Sequence, residues 1–212
     1  MRLIRNIFLF ALLATVASIS PAIAQEPATP EPAEASASAF IDDCLAEVDR
    51  VHDQILALAA AMPQKTYTWR PAEGVRSVSE VYLHIAFANY LLPSVAGYAV
   101  PADLEDQLGV DKMQSWDTAT TDKEAVAEKV SRSFDHLRST VAGISEAALE
   151  EKVEFFGQTP TKRQMLLIAL GHLHEHLGQA IAYARMNDVV PPWSAAQQEA
   201  QRQAAEDGNG GS

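Results

Sequence analysis

The sequence predicts an all-α protein: a four-helix bundle with a long crossover loop between its second and third helices. Four stretches repeat apolar residues at three- and four-residue intervals, the period of a helix with one buried face. Capping and helix-breaking residues bound each of them. Strand signals are confined to residues 152–156, enough for one short extended piece.

The folded segment is expected over residues 39–193. The first helix carries Ile41, Leu45, Val48, His52, Ile55 and Ala59 on one stripe and stops at Pro63. A capping box, Ser77 as N-cap with Glu80 three residues on, opens the second. Its stripe is Val81, Ile85, Ala88 and Leu92, and Pro93 and Gly97 mark its end. Thr121 and Glu124 form a further box, followed by Val130, Phe134, Leu137, Val141 and Ile144 as the third helix. The fourth opens at Thr159-Pro160, since proline suits the first helical position. It runs to Asn187, and Pro191-Pro192 forbids continuation. Residues 98–120 make a connection of the length that serves as a lid or a crossover.

Composition and flanking segments limit the function. The chain has 212 residues, 48% hydrophobic and 21% charged, with a net charge of −12. An acidic protein repels phosphate backbones, so nucleic acid is excluded as a partner. A single cysteine, Cys44, excludes both a disulfide scaffold and a cysteine-rich zinc module, and its place beside an apolar stripe reads as a buried, inert thiol. Residues 1–24 read as a cleaved signal peptide. Arg2 and Arg5 precede an apolar run over residues 7–19, and Ala22-Ile23-Ala24 is a cleavage site that leaves Gln25 first. The expected location is periplasmic or secreted, with no stable membrane anchor after cleavage. Residues 25–38, rich in Ala, Pro, Glu and Ser, read as a disordered linker, and residues 194–212 as a fraying helix and flexible tail.

The chemistry lies in the fourth helix, which is apolar nearly all round over residues 164–184 and so reads as a buried helix. His172 and His176 are spaced i, i+4, so both imidazoles project from one face and can reach one metal ion. Spacing alone leaves a second reading open, two core histidines with separate partners. His174 lies about 200° round the helix and points elsewhere, to solvent or a subunit interface. A third ligand has to come from another segment. His136, beside Asp135 and Arg138, reads as solvated, and residue type leaves His52 and His84 both open. Glu175 and Tyr183 are the candidates for acid–base work. Gln179, one turn beyond His176, reads as a ligand-orienting or a packing residue.

Two motifs resemble the DinB-like family of four-helix metalloproteins. One runs from Trp69-Arg70-Pro71 through Ser77, Glu80 and His84 to Asn89; the other is His172-x-x-x-His176-x-Gly178-Gln179, followed by Arg185 and Pro191-Pro192. The resemblance covers residues 40–193. It implies a three-histidine site with His84, His172 and His176 as ligands of one divalent ion, zinc, nickel or iron. His52 then remains a core residue. Gly178 reads as a close helix contact, and Glu80 as a cap that can also stand behind His84. The resemblance further implies a metal-dependent hydrolase or thiol S-transferase acting on a small molecule, and a homodimer. The alternative class is a non-catalytic metal- or ligand-binding module of the envelope.

Overall fold

Burial of one apolar face per helix organises the chain. The computed structural model describes residues 32–209, so the signal-peptide reading and the first part of the expected linker lie outside the described residues. Its α-helices are α1 (Pro32–Ala61), α2 (Val78–Val95), α3 (Met113–Asp117), α4 (Lys123–Ala142), α5 (Glu146–Leu149), α6 (Lys162–Met186) and α7 (Pro192–Asn209). The long helices α1, α2, α4 and α6 form the predicted bundle. α1 and α2 each pack against both α4 and α6, so α1 faces α2 across one diagonal and α4 faces α6 across the other. Residues 152–161 carry only two isolated bridges, Lys152 with Thr161 and Phe155 with Gln158.

Helix boundaries follow the strongest local cap. Ser77 and Glu80 form the expected box on α2. For α4 the cap is Asp122, whose side chain accepts from the Ala125 amide, and not Thr121. An aspartate one residue later outcompetes threonine at this position. α6 starts two residues later than expected, on a Thr161–Gln164 capping box. The Pro160 carbonyl is instead taken by the Val153 amide, which keeps that residue in an extended turn. Pro93 lies inside α2 and does not end it. It removes one backbone donor, and the helix continues for two residues, with the Ser94 hydroxyl donating to the Leu91 carbonyl. Helix α1 begins at Pro32, inside the segment read as a linker, and α7 extends through most of the segment read as a tail.

The main core joins Val48, Val51, Ile55 and Leu58 of α1 to Val81, Leu83 and Ile85 of α2, Phe134 and Leu137 of α4, and Leu173 and Leu177 of α6. Cys44 is buried in it, and burial raises its thiol pKa, as expected of an inert thiol. His52 sits at the rim, half-buried and stacked on Phe134 at 4.8 Å. One expectation reverses. The sequence makes the fourth helix look apolar nearly all round and buried, yet α2 is the enclosed one, buried along almost its whole length. α6 leaves Leu167 54% and Ile168 37% exposed.

A second, smaller cluster fixes the crossover. Phe87 and Tyr90 of α2 enclose Leu104 and Trp116, and the Trp116 indole donates to the Gln107 carbonyl at 2.9 Å. This packing holds the end of α3 against the middle of α2. His136 belongs beside it: it is half-buried, stacks on Tyr90 at 5.0 Å, and burial lowers its pKa. The solvated reading of His136 is thus corrected; Tyr90 of the neighbouring helix covers a ring that lies off its own helix's stripe.

Phe134 is fully enclosed at the centre of the main core. Phe134→Ala should cost about 3–5 kcal/mol, because a cavity is added to the lost burial. Urea unfolding monitored by circular dichroism measures this, and a loss under 1 kcal/mol would contradict the packing described.

Candidate metal centre

Helix geometry brings three histidines from two segments to one point. α6 presents His172 and His176 from consecutive turns of one face. α2, its neighbour in the bundle, presents His84. One ligand atom from each residue can be chosen so that all lie within 4.8 Å of one another. The Nε2 atoms of His84 and His172 are 3.2 Å apart. Ring centroids are 5.1 Å apart for His84 and His172, 4.8 Å for His84 and His176, and 4.4 Å for His172 and His176. Two nitrogens each about 2.0–2.1 Å from a tetrahedral zinc ion lie about 3.3–3.4 Å apart. The three residues fit a shared divalent ion in donor type and in spacing.

The site is built for neutral imidazoles. Burial, then the nearby His176, His84 and Arg76, push the pKa of His172 from 6.5 down to about 3. Burial also lowers that of His176, against a hydrogen bond to Gln179 that works to raise it. Metal ligation requires the unprotonated ring, so this environment favours binding near neutral pH.

A directed chain of hydrogen bonds sets the tautomer of His176. The Arg76 carbonyl can only accept, and the Tyr183 hydroxyl donates to it at 3.0 Å. With its one proton so used, that hydroxyl accepts from Gln179 Nε2 at 3.0 Å. The Gln179 Oε1 atom therefore faces His176 Nδ1, at 2.9 Å, and the ring nitrogen must donate. The proton stays on Nδ1, and Nε2 keeps its lone pair for a ligand. Gln179 thus fixes the orientation of the His176 ring.

His84 has a partner that the sequence reading missed. The Asp117 Oδ1 atom lies 3.4 Å from His84 Nδ1, and Asp117 Oδ2 accepts from Arg76 Nε at 2.7 Å. Burial works to raise the Asp117 pKa, but the facing His84 ring, the hydrogen bond from Arg76 and the Arg76 charge hold it below the ordinary carboxylate value. Asp117 ends a short helix in an irregular connection, where no periodicity marks it. The only signal for it is the adjacent Trp116, a large apolar residue able to anchor the crossover.

Other expected residues lie elsewhere. Glu80 is occupied by the Ser77 amide and by Arg70. His174 is exposed and paired with Glu47 of α1. Glu175 is exposed, outside the histidine cluster. Gly178 is a correction: a Cβ built there would meet nothing within 4 Å, as at Gly171, so neither glycine serves a close contact among the described residues. A cleft of about 860 Å³ lies beside the site, reaching Arg76, Asp117 and Gln179.

The sequence pattern of the DinB superfamily matches residues 47–180, more than half of the chain, and the protein belongs to that superfamily. Among curated proteins no sequence match was found. The fold is similar to that of a DinB-like protein from Bacillus cereus ATCC 10987, with a TM-score of 0.58 and 15% identity over 73% of this chain and 95% of that one. A DinB-like protein from Bacillus subtilis is similar with a TM-score of 0.55 and 20% identity, over 70% of this chain and 94% of that one.

The low pKa of His172 has a measurable consequence in the metal-free protein. The unfolded chain takes up a proton below pH 6.5, and the folded chain resists it down to about pH 3. The neutral ring's contribution to stability is thus complete above pH 6.5 and declines as pH falls towards 3, by up to about 1.4 kcal/mol per pH unit for one proton. Urea unfolding in chelator at pH 7 and pH 5.5 should show a smaller pH dependence for His172→Gln than for wild type. Equal dependence would mean that His172 titrates normally in the fold.

Proposed function

We propose that this DinB-superfamily protein is an exported protein that binds one divalent ion, zinc, nickel or iron, through His84, His172 and His176. The proposal extends to a metal-dependent hydrolase or thiol S-transferase acting on a small molecule. The observation that carries the metal reading is the convergence of three buried or half-buried imidazoles on one point, with burial lowering the proton affinity of His172 and His176. A bound ion would supply Lewis acidity, lowering the pKa of a water or holding a thiolate or carboxylate. The chain's own residues do the rest: Gln179 fixes the ring of His176, and Arg76, Asp117 and Gln179 line a cleft large enough for a small molecule.

A second reading, a non-catalytic metal- or ligand-binding module, draws on the acid–base candidates. Glu175 is exposed outside the histidine cluster, and the Tyr183 hydroxyl is committed at both ends to Gln179 and the Arg76 carbonyl. Neither offers the site a free proton carrier.

Metal content per chain tests the site. Wild type, His174→Ala and His52→Ala should each hold one ion, and His176→Ala should lose most of it. An ordinary histidine pKa would put proton competition near pH 6; with His172 held unprotonated down to about pH 3, the loss of metal should come at lower pH than that. Full occupancy in His176→Ala, or loss in a folded His174→Ala, would sink the assignment.

Export and pairing belong to the same proposal. The Arg2/Arg5 and Ala22-Ile23-Ala24 pattern supports cleavage after Ala24, and the exposed Leu167 and Ile168 beside open Gly171 and Gly178 on α6 support a homodimer. Native mass spectrometry of protein recovered from the bacterial envelope should give a chain that starts at Gln25, and a pair of such chains. A full-length cytosolic species overturns export, and a lone chain at micromolar concentration overturns pairing.

A further inference from the structure

We propose that Asp117 is the positioning residue for His84, locked in place by Arg76, so that the crossover between α2 and α4 forms part of the metal centre. The inference rests on the metal reading above. Asp117 is buried at the end of α3, and its two oxygens have different surroundings. Oδ2 accepts from Arg76 Nε at 2.7 Å. Oδ1 makes no hydrogen bond of ordinary length; the group facing it is His84 Nδ1 at 3.4 Å, which also lacks any other partner. Two buried, complementary, otherwise unsatisfied atoms that face each other are a poised pair.

Three alternatives account for less. A tether between the crossover and the loop before α2 needs only Oδ2 and Arg76, and leaves the direction of Oδ1 unexplained. Trp116 already anchors the segment through Phe87, Tyr90 and its indole hydrogen bond. A role as a fourth ligand conflicts with position: Oδ1 faces Nδ1 of His84, whereas Nε2 is the atom that meets His172. A carboxylate behind a ligand imidazole holds the proton on Nδ1, fixes the ring plane and strengthens Nε2 as a donor. The pairing also completes a symmetry of function. Gln179 does for His176 what Asp117 does for His84, and both connect to Arg76, one through its carbonyl and one through its guanidinium.

The test is Zn²⁺ titration by calorimetry of the chelator-stripped full chain, with Co²⁺ absorption spectra of the saturated proteins. Wild type, Asp117→Asn, Asp117→Ala and His176→Ala are compared, and circular dichroism of each metal-free form reports the fold. Asp117→Ala should bind Zn²⁺ about 10–100-fold more weakly than wild type. Asp117→Asn, which keeps an oxygen acceptor without the charge, should fall between the two. The visible bands of Co²⁺ should shift in Asp117→Ala, a change that a merely structural role would not produce in a chain of unaltered fold. Wild-type Zn²⁺ affinity and Co²⁺ bands in Asp117→Ala, with binding lost in His176→Ala, would overturn the role of Asp117 and leave the metal site standing. If Asp117→Ala does not fold, Asp117→Asn decides, and unchanged affinity and bands there overturn the proposal. A wild type that takes up none of Zn²⁺, Co²⁺, Ni²⁺ and Fe²⁺ overturns both readings.

Discussion

Arg76 is the residue on which the site depends, because it acts with its main chain and its side chain at once. Its carbonyl fixes the direction of the Tyr183–Gln179–His176 chain, and its guanidinium holds Asp117 opposite His84. A loop residue next to the N-cap of α2 therefore joins α6 to the crossover. Its placement follows from the capping box at Ser77, which sets where α2 begins. Local helix-start chemistry thus decides the relative position of groups that lie far apart in sequence. A lysine would not substitute: it lacks the planar donor array that grips one carboxylate oxygen from a defined direction.

Placing three imidazoles side by side is unfavourable if any of them is charged. The fold meets this by enclosing α2 and by burying Leu173, Leu177 and Ala180 of α6 beside the two histidines in sequence. Burial keeps the rings of His172 and His176 neutral. The cost is a buried nitrogen atom without a hydrogen-bond partner among the described residues, His172 Nδ1.

The bundle was legible because each of its long helices repeats its apolar residues with a helical period, and because Ser77 and Glu80 announce a helix start. The i, i+4 histidines were legible for the same reason. The third histidine needed a family resemblance, since residue type and periodicity gave His52 and His84 equal standing. What separates them is the helix partner: His52 meets Phe134, whereas His84 meets α6. Asp117 was not legible at all. It lies in a connection whose path is set by Trp116 packing on Phe87 and Tyr90, a tertiary event with no periodic trace. The reading of α6 as the enclosed helix failed for a related reason: hydrophobic composition reports how much apolar surface a helix has, and not whether this chain alone covers it.

The placement of the histidines on two different helices carries one more consequence. His84 and His172 are 88 residues apart in the chain, and the residues between them include the crossover, α4 and α5. An ion shared between them would behave as a removable staple. It would close a loop of that length in the folded state only, and so withdraw freedom that the unfolded chain keeps. The working stability of the bundle would then track the free metal concentration of its surroundings. The same chain would be firmer or looser according to the ions its surroundings supply.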